Sequence, residues 1–363
     1  MAGLARLIFK VANSVRVAGE VSESFPILVG VGQGDHLSTL LFDIYIDDML
    51  EFLHAESGPK GICISQGVDI KALTYADDLI GLSLDPQDLQ VSINHVAEWL
   101  KRWRMQSNKQ KSVVMVFHPM EGQSANVPAE QRLNTWTLDG RTLLQVQSYK
   151  YLGVWFSENR SWDLHASKAL AKMRAALGYW RPLLCCHGIP IKIRAMMIQT
   201  FIYSSVLFGS EVWSALQVNR RCYDIVAKEA MRAVMGLRCS EVASDVLFAD
   251  MGLLPPSLLM DANKQCYSLH LSNLQGTRWC KMAKARCFPG HRAVGRPRVG
   301  ANWQREVQKF SEDICHDLNI SDIFKAPISQ LAVRRVSSRS QRGVQVLNMP
   351  CTETLTIIIG HTI

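Results

Sequence analysis

A chain of 363 residues and 40.7 kDa has room for two or three domains with a buried core, which excludes a small stapled scaffold. Its formal net charge is +8, and Gly276–Phe310 alone holds nine Lys or Arg against one acid, Glu306, so the whole excess sits in that segment. Ten cysteines without a framework spacing, and no secretory signal, point to free thiols in a reducing intracellular compartment, nuclear or cytoplasmic. No apolar run approaches the roughly 20 residues of a membrane helix, so no membrane partner is expected.

Met1–Gly19 lacks acids and repeats Leu4, Leu7, Ile8, Val11 and Val15 at helical spacing. An amphipathic helix is expected there, with a mitochondrial presequence as the alternative. Ser14–Val29 alternates on both sides of Gly19-Glu20, the pattern of a β-hairpin. After the turn Gly30–Gly34, Asp35 can cap a helix over about 36–50 whose stripe is Leu37, Leu40, Leu41, Ile44, Tyr45 and Met49. Asp47, Asp48 and Glu51 fall near its end and read as solvated surface acids.

A short strand around Gly61–Ile64 precedes a central hairpin. Asp85 and Pro86 then supply an N-cap and a first-turn proline for a helix with Leu89, Ile93, Val96, Leu100 and Trp103 on one face. Strands follow at Ser112–His118, Thr135–Leu138 and Ser148–Phe156. This order predicts an α+β layer in which Ser14–Phe156 forms an antiparallel sheet with both helices on one face.

From Trp162 the pattern turns helical. Leu170, Met173, Leu177 and Trp180 share a face, and further helices are expected at Lys192–Ser214, Asn219–Met235 and Pro256–Leu274. Beyond Asp322 the chain is rich in Ser and Arg and ends in LTIIIGHTI. With no patterned core-facing side, 326–363 is expected to be poorly ordered.

Within Ala72–Leu84, ALTYADDLIGLSL, Asp77 and Asp78 interrupt a strand-like apolar run. An ionised carboxylate desolvated in such a run is costly unless something compensates it. A turn aiming both aspartates at bound cations would do so, and a hairpin with an acidic exposed tip is the plain alternative. Adjacent aspartates on a tight turn can hold divalent metals for phosphoryl transfer.

Tyr75-Ala76-Asp77-Asp78 resembles the Y-x-D-D motif of reverse transcriptases. Gly32-Gln33-Gly34-Asp35-His36-Leu37-Ser38 with Leu41-Phe42-Asp43-Ile44-Tyr45 resembles the family's Q-G-x-x-L-S-P-x-L-F-x-x-Y motif. The similarity continues at Trp103, Asn108, Lys111 and Ser112, and at Lys150-Tyr151-Leu152-Gly153, which resembles the primer grip. Leu207–Trp213, Met235–Leu237 and Gly252–Pro255 are similar to the region downstream of the polymerase in non-LTR (LINE-type) retrotransposons.

The resemblance implies a partial right-hand palm over 1–160, a helical thumb over 161–240, a basic helical region over 241–325 and the tail. It implies a polymerase using Mg²⁺, an RNA template, a DNA primer and a dNTP. Asp77 and Asp78 would be catalytic metal ligands. Gln33, Gly34, Ser38, Tyr75 and Lys111 would contact nucleotide or template, and Tyr151, Leu152 and Gly153 the primer. For Lys111 an ordinary surface lysine is the equal alternative. Arg278, Lys281, Lys284, Arg286, Arg292, Arg296 and Arg298 would hold nucleic-acid backbone, with Trp279, Phe288 and Trp303 interleaved for stacking.

Two departures qualify the resemblance. Thr39 stands where the family has proline, and residues 1–34 contain no aspartate to match the family's first catalytic one. The expectation is a polymerase beginning midway through its palm and inactive alone. The rivals are a non-catalytic nucleic-acid-binding remnant and the product of a decayed element. Cys280, Cys287 and His291, with Cys266 and His270, fit no zinc spacing, and Gly295-Arg296-Pro297-Arg298 has only the core of an AT-hook.

Overall fold

The structure, a computed structural model, describes residues 12–26, 36–55, 59–65, 67–108, 110–117, 135–214, 217–237, 244–282, 307 and 355–361. The N-terminal strands are short. β1 (Ala12–Asn13) pairs antiparallel with β4 (Phe25–Pro26), and β2 (Arg16–Val17) with β3 (Glu20–Val21). The β2–β3 turn is Ala18-Gly19, one residue before the expected position. Both turn residues have positive φ, 52° and 94°, as a two-residue turn matching the strand twist requires.

The expected helix over 36–50 is two helices, α1 (His36–Ile46) and α2 (Asp48–Ala55), broken at Asp47. Asp48 and Glu51 therefore occupy the first turn of α2, where the helix dipole favours carboxylates. Asp48 is also more than a solvated acid, since it accepts a 3.0 Å hydrogen bond from the indole of the fully buried Trp99.

β5 (Ile62–Ser65) pairs with β6 (Val68–Ile70). Gly61, just before β5, lies so close to the other strand that a Cβ would sit 2.4 Å from the Ile70 carbonyl oxygen and 2.8 Å from the Lys71 nitrogen. Only glycine permits that approach.

The central hairpin is β7 (Ala72–Tyr75) and β8 (Asp78–Ser83). α3 (Pro86–Arg102) comes next, started as its sequence implies: the Asp85 carboxylate accepts from the backbone N–H of Gln87 (2.7 Å) and Asp88 (3.1 Å). Then come β9 (Val113–Phe117), β10 (Thr137–Leu138), β11 (Arg141–Thr142), β12 (Leu144–Gln145), β13 (Ser148–Tyr151) and β14 (Val154–Ser157).

These strands do not form one sheet. Five pairs stand apart, and only one larger sheet is present among the described residues, five strands in the order β12-β9-β15-β8-β7. Its central strand, β15 (Leu355–His361), comes from the tail expected to be poorly ordered. β15 runs antiparallel to both neighbours, with Thr356–His361 against Ser83–Asp78 and Leu355–Ile359 against Phe117–Val113.

Alternate side chains of β8 and β9 serve opposite faces. Ile80, Leu82, Val113, Met115 and Phe117 join Ile62, Ile64, Ile70 and Tyr151 on one. On the other, Val114 and Val116 meet Leu89 and Ile93 of α3, while Leu79 and Ala72 meet Met49 and Leu53 of α2 with Trp99 and Leu100 of α3. Both α2 and α3 thus cover the same face. The architecture is α+β.

The rest of the described chain is mainly helical: α4 (Asp163–Leu184), α5 (Ile191–Met197), a π-helical turn (Ile198–Tyr203), α6 (Ser204–Leu207), α7 (Ser210–Trp213), α8 (Gln217–Met235), α9 (Ser244–Met251) and α10 (Pro256–Asn273). The single helix expected over Lys192–Ser214 is divided, with Gly209 at φ 67° between α6 and α7. Met173 and Leu177 of α4 lie in a core with Ile198, Ile202, Tyr203, Tyr223, Val226 and Met231. Leu170 and Trp180, expected on the same face, are half-buried against it.

Arg194 is buried in this core. Its guanidinium Nη1 donates to the carbonyls of Leu184 (2.9 Å) and Val234 (2.7 Å), at the C-terminal ends of α4 and α8. No described helix is long and apolar enough to cross a membrane.

His165 of α4 joins strands to helices. Its Nδ1 accepts the Trp155 backbone N–H at 3.1 Å, and its ring meets Trp213 edge-on, centroids 4.7 Å apart. Burial first and Lys150 second push its pKa down from 6.5 to about 4. The unfolded chain therefore takes up the proton first on acidification. Stability carried by neutral His165 is present above about pH 6.5 and lost as pH falls toward about 4, at up to about 1.4 kcal/mol per pH unit. His54, lowered by burial and Lys71, acts in the same direction. The urea midpoint of wild type is expected to drop more between pH 7 and pH 4.5 than that of His165→Gln; equal drops would refute the assignment.

Candidate active site at the β7–β8 hairpin

The hairpin arises from its residue pattern. Leu73 and Ile80 pair across it, as do Thr74 with Leu79 and Tyr75 with Asp78, leaving Ala76-Asp77 as a two-residue loop. Ala76 takes φ 51°. That backbone is strained for a residue with a Cβ, by roughly 1–2 kcal/mol, and such strain persists where surrounding structure fixes it. Asp77 is exposed at the apex, and Asp78, the first residue of β8, is half-buried.

Tyr149 and Tyr151, alternate residues of β13, lie within electrostatic reach of Asp78. Burial chiefly, and the Asp78 charge second, hold both phenols above their ordinary pKa; for Tyr151, Tyr75 adds a smaller part. All three tyrosines therefore stand within electrostatic reach of the carboxylate hairpin. The Tyr149 hydroxyl also donates to the Lys111 carbonyl at 3.3 Å.

Lys111 sits exposed on a turn organised by Asn108. The Lys111 N–H donates to the Asn108 backbone carbonyl (3.1 Å) and to its side-chain oxygen (3.3 Å), and the Ser112 hydroxyl donates to the Asn108 carbonyl (2.9 Å). Asparagine at 108 thus shapes the turn that carries the lysine into β9.

Leu152 and Gly153 form the β13–β14 turn, with φ 45° and 88°. A Cβ on Gly153 would lie 2.9 Å from the Phe208 ring, so glycine also lets this hairpin dock on the helices.

Tyr75, Asp77, Asp78 and Tyr151 are therefore gathered around one hairpin, and Lys111 is linked to it through the Tyr149 hydroxyl on its backbone carbonyl. Ser38 is buried in the first turn of α1. Gln33 and Gly34 lie outside the described residues, as do Lys284, Arg286, Arg292, Arg296, Arg298, Phe288, Trp303, Cys287 and His291. Sequence reasoning missed Tyr149. Its signal was the period of two that places it on the face of Tyr151.

At the start of the basic segment two expectations change. Lys281 is half-buried, and its ammonium donates to the Ser272 (3.0 Å) and Leu274 (2.7 Å) carbonyls, closing the C-terminal end of α10. Trp279 packs against the Ile62–Ile80 core and lies 6.0 Å, centroid to centroid, from the His54 ring. Arg278 is exposed. The described cysteines, Cys63, Cys185, Cys186, Cys222, Cys266 and Cys280, are free thiols.

The carboxylates of Asp77 and Asp78 are hard oxygen donors of the type Mg²⁺ takes. Among the described residues no three His, Cys, Asp or Glu are grouped to hold a metal ion. In the ladder, the residue opposite Asp78 on β15 is His361.

Residues 4–156 match the family described as "Reverse transcriptase (RNA-dependent DNA polymerase)". The retrovirus-related Pol polyprotein from type-1 retrotransposable element R2 of Popillia japonica is 29% identical over 40% of this chain and 23% of its own length. The RNA-directed DNA polymerase from mobile element jockey of Drosophila melanogaster is 22% identical over 66% of this chain and 26% of its own. The probable RNA-directed DNA polymerase from transposon BS, also of Drosophila melanogaster, is 23% identical over 61% and 24%. The chain thus spans about a quarter of the length of these relatives. No solved structure matches. The chain carries, in residues 4–156, a reverse transcriptase domain of the non-LTR retrotransposon type.

Proposed function

We propose that this chain is the template-holding core of an RNA-directed DNA polymerase and presents one side of its two-ion site. The observation that carries this is the YADD hairpin, with Asp77 at its apex, Asp78 next to it at the start of β8 and Tyr75, Tyr149 and Tyr151 within electrostatic reach. Residues 1–160 act as a partial palm, 161–240 as a thumb and 241–325 as a basic extension.

Asp77 and Asp78 hold Mg²⁺, which when bound neutralises charge on the phosphates of a dNTP. Lys111 meets phosphate from its Asn108 turn. Gln33 and Gly34 approach the nucleotide and template, and the Tyr151-Leu152-Gly153 hairpin supports the DNA primer. Arg278, Lys284, Arg286, Arg292, Arg296 and Arg298 hold backbone phosphates of RNA template or primer. Ser38, being buried, positions α1 instead of touching nucleotide.

The site is one-sided because Asp77 and Asp78 come from a single hairpin, and among the described residues no further His, Cys, Asp or Glu joins them in a metal-holding group. Metal binding tests the assignment. Mn²⁺, observed by electron paramagnetic resonance as a stand-in for Mg²⁺, is expected to bind at least about tenfold more weakly to Asp77→Asn or Asp78→Asn, in line with the loss of one first ligand. Mn²⁺ affinity unchanged in the double variant would refute it.

A further inference from the structure

β8 and β9 belong to one continuous stretch, 78–117, joined by α3. Both are antiparallel to β15, so they run parallel to each other with one strand between them. Two strand spacings of roughly 4.7–4.9 Å separate them. The filler comes from the far end of the sequence, and its pairing partners all lie within that single stretch. Each flanking strand is already hydrogen-bonded on its outer side, β8 to β7 and β9 to β12.

The slot is apolar on both faces. Leu79–Ser83 and Val113–Phe117 are buried throughout, feeding the Ile62–Tyr151 core on one face and α2 and α3 on the other. A strand entering it gains two ladders of main-chain hydrogen bonds, and those bonds carry little sequence information. Thr356, Ile357, Ile358 and Ile359 of the occupant are β-branched residues suited to such a position.

We propose that the slot between β8 and β9 is a strand-acceptor site for extended, β-branched peptide segments in antiparallel orientation, and that 355–361 is its exchangeable resident. The site's chemistry is main-chain pairing along Asp78–Ser83 and Val113–Phe117. Because His361 is the register partner of Asp78, replacing the resident strand also replaces the residue beside the carboxylate hairpin. The inference stands apart from the polymerase reading, since it requires only the ladder.

The test starts from the folded full chain carrying a protease site inserted between Val346 and Leu347, cut after folding so that the tail is held only by pairing. A labelled synthetic peptide of residues 355–363 is then added in excess, with amide exchange read by mass spectrometry. The resident tail is expected to co-elute with the core and to be displaced by labelled peptide in a dose-dependent way. The same peptide with Ile358→Pro, which removes a ladder donor in a strand paired on both sides, is expected to displace at least about tenfold less. If the cut tail dissociates, peptide at high concentration should restore protection of the 79–82 and 113–117 amides. Three results would overturn the proposal: a tail that leaves with those amides still protected, a core whose protection no peptide restores, or a retained tail that never exchanges. None of these involves metal or nucleic acid, so failure here is distinct from failure of the Mn²⁺ assay.

Discussion

Given a primed RNA template, dNTPs and Mg²⁺, the chain is expected to extend primer no faster than its Asp77→Ala variant. A two-ion centre clamps both the attacking and the leaving oxygen, which takes carboxylates converging from more than one strand. Asp77 and Asp78 converge from one hairpin, and the ladder position next to Asp78 is His361. Asp43 and Asp47 do not make up the difference, because no third acid, His or Cys joins a metal-holding group among the described residues. Asp48 is engaged with Trp99. Losing one preorganised electrostatic contact at a transition state costs on the order of 10²–10³-fold in rate, and a loosely held ion loses several at once. Primer extension on an RNA template, resolved to single-nucleotide products, is the measurement. Robust synthesis by the 363-residue chain, abolished by Asp77→Ala, would overturn the one-sided account and restore a full enzyme.

Arg194→Ala is expected to destabilise the chain by about 2–6 kcal/mol, the sum for two buried acceptors that lose a charged donor. Leu184 ends α4, and Val234 is one residue from the end of α8, so both carbonyls belong to the set that no intrahelical N–H can reach. One guanidinium nitrogen serves both. Alanine leaves two buried carbonyls unsatisfied, each costing about 1–3 kcal/mol, and empties the space of the stem. Against a total stability of about 5–15 kcal/mol that is a large share. Arg194→Lys keeps a cation without the planar fork and should fall between. Urea unfolding followed by circular dichroism decides it, and a loss below about 1 kcal/mol for alanine would mean that water satisfies the two carbonyls instead.

Local chemistry made much of this protein legible. The Asp85-Pro86 helix start, the hairpin placing Asp77 at an apex and the packing of α3 on one sheet face derive from side-chain type and spacing, because caps, turns and periodicity are properties of a few neighbouring residues. The stripe expected over 36–50 does not hold in the same way, since Leu37, Leu40, Ile44 and Tyr45 of α1 are exposed and α2 supplies the covering residues Met49 and Leu53. Partners from distant sequence were not legible. Trp99 lies one residue from the Leu100 stripe, and only the position of α2 explains its burial and its bond to Asp48. Lys281 reads as a phosphate contact until α10 is seen to end within its reach. LTIIIGHTI has the β-branched run of a buried strand, but without alternation its periodicity could not say where, or whether, it pairs.

That placement of β15 has a consequence for biosynthesis. Residues 355–361 are polymerised after every other strand of their sheet, yet they occupy its middle. While the ribosome is still adding the helices of 163–273, β8 and β9 cannot acquire the neighbour they have in the finished protein. Such pairing has a very long sequence separation, the kind that slows folding and lengthens the exposure of unpaired edges. The sheet that carries Asp78 is therefore closed only by a product translated through residue 361, and a nonsense codon anywhere in the preceding helices yields a protein whose central ladder can never form in cis.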